Sequence, residues 1–190
     1  MNKIKGKILI ITGPSGVGKD TVMAELTTKH KNFMFSRSVT TRNQRSGETE
    51  GVSYFFITRE EYDRMERNGE LIESIEYLGN KYGTRYDEIN RIIDSGNHVV
   101  MILEYHGMEQ IKEHYKNDVV TVFMMPPSMR DLEYRLNKRG RETIEQIKER
   151  MANAKNEIAM AKNYDYFVVN DEVTRCAEII YNIVAIEKER

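Results

Sequence analysis

Three apolar runs stand out along an otherwise mixed chain: Lys7 to Thr12, His98 to Leu103 and Val119 to Met124. Each is short, continuous and rich in β-branched residues, a pattern that predicts strands buried on both faces. A shorter run, Tyr166 to Val169, belongs with them. Between the runs, apolar residues recur at helical spacing. One helix is predicted from about Lys19 to Lys29, directly after a glycine-rich turn. Ser128 with Asp131, and Thr143 with Gln146, predict two capped helix starts, the second helix running to about Lys162. A last helix is predicted over about Glu172 to Glu187, with Ile179, Ile180, Ile183 and Val184 on its inner face. Strands that alternate with helices in this way predict an α/β fold, a parallel sheet flanked by helices.

The stretch from Phe35 to about Tyr86 breaks the rhythm. It is rich in Ser, Thr, Arg, Gly and Tyr, and its apolar pieces are short, as in Val52 to Phe56. Thr58 with Glu61 predicts one capped helix within it. This reads as a small mixed subdomain inserted after the first helix. A brief basic segment, Arg139 to Glu142, interrupts the chain again further on.

Composition narrows the classes. With 190 residues, a single domain is expected, and 39% apolar with 31% charged residues suits a folded core. No apolar run approaches the roughly 18 residues that span a bilayer, so no membrane partner is expected. A net charge of -1 excludes a broadly basic nucleic-acid coat, and no nucleic acid is expected as a partner. The single cysteine, Cys176, excludes an intrachain disulfide and a cysteine metal cage. Together with a start that lacks a secretory pattern, it points to the cytoplasm. His30, His98, His106 and His114 lack metal-ligand spacing and read as structural or surface groups. Cys176 reads as core.

Candidate chemistry begins at Gly13-Pro14-Ser15-Gly16-Val17-Gly18-Lys19, which fits the pattern G-x-x-x-x-G-K between a buried strand and a helix. Glycines let successive backbone N–H groups point inward, and the helix amino terminus adds positive potential for a polyphosphate. Lys19 supplies a mobile point charge. The next position, usually a magnesium-binding Ser or Thr, is Asp20, followed by Thr21. Asp20 is a candidate magnesium ligand. It is equally a first-turn acid of the kind a helix dipole favours, and it repels phosphates unless a cation intervenes.

A second segment, Ser36 to Glu48, carries Arg37, Arg42 and Arg45 among hydroxyl residues. Arg42 and Arg45 have the spacing to clamp one phosphate. Tyr54, Glu73, Tyr82 and Thr84 follow in polar or Gly-flanked settings. Together with the glycine loop, the pieces Ser38-Val39-Thr40-Thr41-Arg42, Arg45-Ser46-Gly47-Glu48, Gly51 to Phe56, Leu71-Ile72-Glu73, Gly79 to Thr84 and Val168-Val169-Asn170-Asp171 resemble the guanylate kinases, in family order and across almost the whole chain. The resemblance implies P-loop nucleoside monophosphate kinase activity: ATP and GMP as partners, magnesium as cofactor, ADP and GDP as products. It implies a core formed by 1–34 and 87–190, a GMP-binding insertion at 35–86 and a lid near 128–150. By position, Arg42, Arg45, Tyr54 and Tyr82 resemble the residues that hold the GMP phosphate. Ser38, Glu73, Thr84 and Glu104 resemble those that read guanine. Gly13 to Thr21 and Asn170 fall on the ATP side. Lys19, Arg42, Arg135, Arg139 and Arg150 resemble the residues that carry catalysis. The oligomer is expected to be a monomer or a homodimer.

The attacking group in such a reaction is a phosphate oxygen, mostly ionised at neutral pH because its second pKa is near ~6. No general base is required. Positive charge and alignment are. Besides Asp20, the chain departs from the family pattern just before Gly107. Where members commonly carry two acids before a Gln-Gly turn, the register here gives Ile102, Leu103, Glu104, Tyr105, His106 and Gly107. Asp20 is a candidate replacement for the lost first acid. Two other readings remain at this stage, a ribose 1,5-bisphosphate kinase and an inactive guanylate-kinase-like module that binds protein partners.

Overall fold

The apolar runs form the middle of a five-stranded parallel sheet in the computed structural model, which describes residues 6–138 and 143–189. In chain order the elements are β1 (Ile8–Thr12), α1 (Lys19–Lys29), β2 (Phe33–Phe35), β3 (Val39–Thr40), β4 (Phe55–Phe56), α2 (Arg59–Arg67), β5 (Leu71–Tyr77), β6 (Asn80–Arg85), α3 (Tyr86–Asp94), β7 (His98–Ile102), α4 (Tyr105–Tyr115), β8 (Val119–Met125), α5 (Met129–Lys138), α6 (Ile144–Ala159), β9 (Tyr166–Val169) and α7 (Val173–Glu189). The main sheet runs β2-β7-β1-β8-β9. β1 lies at its centre, with Ile11 beside Ile102 on one flank and Val122 on the other. All neighbouring pairs are parallel, so the carboxyl ends of the strands share one edge. Ligands of such sheets bind along that edge.

Every residue of β1 is buried because both faces of the sheet are covered. Leu9 and Ile11 pack with Val22, Met23, Leu26, Ile180 and Val184 under α1 and α7. Ile8 and Ile10 pack with Ile89, Ile92, Met108 and Ile111 under α3 and α4. Truncating one of these isoleucines to alanine costs roughly 2–5 kcal/mol, a large share of a small domain's stability.

Two expectations change at element ends. α6 stops at Ala159, short of Lys162, because the Met160 N–H bonds back to the Glu157 and Ile158 carbonyls and the chain tightens into a 3₁₀ turn over Ala161–Asn163. On α7 the buried stripe is Cys176, Ala177, Ile180 and Val184, while Ile179 is 40% exposed and Ile183 lies at the margin. β2, only three residues long, pairs with β7 at the sheet's edge and carries no sequence pattern of its own.

A second sheet, in the order β4-β3-β6-β5, comes from the irregular stretch. α2 opens with the Thr58–Glu61 capping box and packs its buried Tyr62 against this sheet. The Tyr62 hydroxyl lies 2.7 Å from the Tyr82 carbonyl and 2.8 Å from Ser74 Oγ. Burial pushes its pKa up to about 12. Gly83 makes this approach possible, since a Cβ there would stand 2.5 Å from the Tyr62 hydroxyl and 2.9 Å from the Glu73 carbonyl.

The histidines and the cysteine are structural. His30 stacks on Tyr181 at 3.9 Å, His114 packs on Tyr86 at 4.7 Å, and His106 is exposed. Cys176 is fully buried, and burial pushes its thiol pKa up to about 11. His98 is 3% exposed, lies 4.7 Å from the Phe33 ring, and accepts the Lys7 N–H on Nδ1 at 3.0 Å. Burial, helped by Lys188 and Lys7, pushes its pKa down to about 4. The unfolded chain takes up this proton near ~6.5, so the stabilisation is complete above that pH and is lost as the pH falls toward the folded value. A loss of up to about 3 kcal/mol is expected between pH 7 and 4.5. Urea unfolding across that range should show a smaller acid loss in His98→Gln than in the wild type.

Candidate active site

β1 carries the chain to the carboxyl edge of the sheet, where residues 13–18 turn over into α1. Val17 is fully buried and anchors the loop in the core, and its N–H donates to the Pro14 carbonyl at 3.1 Å. Gly18 caps α1 in the left-handed region at φ 100°, and a Cβ there would stand 2.7 Å from Asn170 Nδ2. Lys19 folds back across the loop, donating from Nζ to the Gly13 carbonyl at 2.5 Å and the Pro14 carbonyl at 3.3 Å. Asp20 and Thr21 are exposed in the first turn of α1. The result is a helix amino terminus preceded by a rigid glycine turn, the geometry that suits an anion.

Three distant side chains hold this loop. Asn170, after β9, donates from Nδ2 to the Val17 carbonyl at 2.8 Å, and its own N–H donates to the Met125 carbonyl at 2.8 Å. Its Oδ1 is buried with no hydrogen-bond partner among the described residues. Arg135 of α5 donates from Nη1 to the Val17 carbonyl at 3.0 Å and from Nη2 to the Asn170 carbonyl at 2.9 Å. Arg150 of α6 donates to Ser15 Oγ. Both helices after β8 are therefore tied to the glycine loop. Arg139 lies outside the described residues.

The second sheet contributes the other side. Arg42 lies over the neighbouring rings of Tyr54 and Phe56, 5.6 and 5.7 Å from their centroids, and Tyr82 lies 6.0 Å from Tyr54. Arg45 is exposed nearby. Burial raises the Tyr54 pKa, and the charges of Glu48 and Asp20 add to the rise while Arg42 opposes it. Further in, the Thr84 hydroxyl donates to Glu73 Oε1 at 2.8 Å, and both residues are buried. Desolvation raises the Glu73 pKa while the Thr84 hydrogen bond opposes it. Gly107 on α4 faces Glu73, and Ser38 lies half-buried before β3. Glu104, exposed, occupies the N-cap of α4 without a side-chain cap.

Two acids play parts that the sequence reading did not assign. Glu157 has its pKa raised by burial, lowered by Lys19 and raised by Glu104, which puts these three charges in one region. Glu157 follows Arg150 by seven positions, two helical turns, and that spacing was the available signal. Glu48 pairs with Arg42, and the turn residues between Arg45 and Glu48 were its signal.

A glycine loop at the end of a central parallel strand, opening a helix and faced by basic side chains, defines the P-loop class of phosphate-binding proteins. A family model described as guanylate kinase matches residues 5–187. The guanylate kinase of Lactococcus lactis subsp. lactis is 43% identical, over 98% of this chain and 90% of its own length. That of Streptococcus pyogenes serotype M3 is 45% identical, over 98% of this chain and 88% of its own. The crystal structure of guanylate kinase from Anaplasma phagocytophilum superposes with a TM-score of 0.76 at 34% identity, covering 99% of this chain and 89% of that one. The chain belongs to the guanylate kinase family.

The two glycines beside Glu73 should respond differently to an added methyl group. Gly83→Ala forces apart Tyr62 and the Glu73 backbone, a destabilisation of about 1–3 kcal/mol. Gly107→Ala meets only ordinary contacts at 3.6 Å or more and lies on a helix, so its effect should stay within about 0.5 kcal/mol. Urea midpoints of the two variants check the contrast.

Proposed function

We infer that the protein transfers the γ-phosphoryl group of ATP to GMP, giving ADP and GDP. Family membership supports the activity. The observation that carries the substrate is the buried Glu73–Thr84 pair, set in the same small sheet as the Arg42, Tyr54 and Tyr82 cluster. Guanine offers donors at N1–H and the exocyclic amine, which a carboxylate accepts. Their approach favours the charged form of Glu73 and offsets the cost of its burial. Adenine lacks the N1–H and leaves the carboxylate partly unpaired. Ser38, Thr84 and Glu104 complete the reading of the base. Arg42, Arg45, Tyr54 and Tyr82 hold the phosphate. In this reading 35–86 is the GMP-binding insertion, 128–150 the lid, and 1–34 with 87–190 the core.

ATP lies along the glycine loop, residues 13–21, with Asn170 beside the adenine. In the transfer, a GMP phosphate oxygen forms a bond to the γ-phosphorus as the bond from that phosphorus to the bridging β-oxygen breaks. Two anions must be brought into line, so the protein contributes charge and alignment rather than a base. Lys19 serves the ATP side and Arg42 the GMP side. Arg139 and Arg150 close over the transferring group. Arg135, bonded to the Val17 and Asn170 carbonyls, holds the loop to the lid.

Among the described residues no group of three or more His, Cys, Asp or Glu is placed to hold a metal ion. That suits magnesium arriving with ATP, since this ion keeps several waters and takes most other ligands from phosphates. When bound, magnesium neutralises charge on the β- and γ-phosphates. Asp20 is the carboxylate we propose to orient its waters. Among the described residues no helix is long and apolar enough to cross a membrane. A cytoplasmic location is our proposal, in keeping with a single, buried thiol.

Coupled ADP release across GMP, AMP, CMP, UMP and ribose 1,5-bisphosphate tests the reading. GMP should exceed AMP in kcat/KM by about 10⁴, the discrimination a hydrogen-bonding site achieves. Equal activity, or equal silence, with every acceptor would overturn it. Asp20→Asn should raise the magnesium concentration needed for half-maximal rate severalfold, while an unchanged requirement would remove Asp20 from the metal's surroundings.

A further inference from the structure

Arg42 does not offer its whole guanidinium to a ligand. Nη1 donates to Glu48 Oε2 at 3.0 Å and to the Asn43 carbonyl at 2.7 Å, while Nη2 donates to Glu48 Oε1 at 2.7 Å. A guanidinium has five N–H groups, and these bonds use three. These bonds leave the Nε hydrogen and the outer Nη2 hydrogen, and Tyr82 also interacts with this side chain and favours its charged form. The guanidinium also lies over the rings of Tyr54 and Phe56.

Glu48 is itself built in. Its Oε2 accepts the Arg45 N–H at 2.8 Å, its own N–H donates to the Arg45 carbonyl at 3.1 Å, and the Gln44 amide donates to its carbonyl at 2.6 Å. The Arg42 contact and the Arg45 N–H hold its carboxyl below the usual carboxylate range, so it stays charged through mildly acidic conditions. A carboxylate fixed by its own turn is a permanent part of the clamp. A loosely held one would be a stand-in that departs when phosphate arrives.

We propose that Glu48 is a positioning residue for the GMP phosphate: it occupies the end-on fork of Arg42 and so presents the Nε–Nη2 edge to the incoming anion. The pairing lowers the net charge at the clamp and in exchange fixes its direction. Bidentate recognition by arginine depends on that direction. The proposal rests on the reading that Arg42 binds the GMP phosphate.

Steady-state kinetics of Glu48→Gln and Glu48→Ala test it, with each nucleotide varied at saturating levels of the other. The expected result is a KM for GMP raised about fivefold in Glu48→Gln and tenfold or more in Glu48→Ala, with KM for ATP within twofold of wild type. In an Arg42→Lys background, adding Glu48→Gln should change KM for GMP little further, because the fork it orients is gone. Calorimetric GMP binding without ATP, on samples with wild-type circular dichroism, gives the same answer independently of turnover. A KM for GMP that stays within twofold of wild type overturns the proposal. So does one that falls, which would make Glu48 a competitor, and so does an equal rise in both KM values, which would make it merely structural. Failure of the wild type itself to phosphorylate GMP would instead overturn the underlying function.

Discussion

The carbonyl oxygen of Val17 is where the architecture closes on itself. It accepts from Asn170, which follows the edge strand β9, and from Arg135, which lies on α5. Val17 is at the same time buried in the main core. One backbone atom therefore joins the glycine loop, the sheet and α5. Gly18 has to be a glycine partly because Asn170 fills the space where a Cβ would go. A loop held this way keeps its N–H groups oriented before any phosphate arrives, and such preorganisation lets a site stabilise charge without rearranging at the moment of reaction.

The opposite side is built by a different strategy. The small sheet has little core, and much of its order comes from polar contacts: Tyr62 on Tyr82 and Ser74, Lys81 on Asp63 and Glu66, Thr84 on Glu73, Arg42 on Glu48. Only the Glu73–Thr84 pair is fully withdrawn from water. The exposed ion pairs add little stability each. The buried pair is costly unless a ligand supplies further donors. The small sheet therefore keeps its one desolvated carboxylate of these pairs inside and leaves its cheaper contacts outside.

Much of this was legible in the chain. The buried strands announced themselves because a sheet covered on both faces demands continuous apolar runs, as in Ile8 to Ile11. The caps at Thr58 and Thr143 were legible because each needs particular residues at a fixed spacing. β2 was not legible, since three residues hold no period. Ile179, which the apolar pattern groups with Ile180, Ile183 and Val184, is 40% exposed because these four positions span more of a helix than its contact stripe. Candidate site residues could be named from the sequence, but their contacts in the fold could not. Nothing in the sequence says that Arg135 bonds two carbonyls or that Glu48 takes the fork of Arg42, because both depend on the folded path between distant or turned segments.

Cys176 has a practical consequence. It is the chain's sole thiol, fully enclosed under α7, with a pKa near 11. At neutral pH only about one molecule in 10⁴ carries the reactive thiolate, and it is out of reach of reagents. The native chain is thus a silent background for maleimide dyes or spin labels. A cysteine introduced on the small sheet and another on α5 would report distances between those two parts without first removing the natural one.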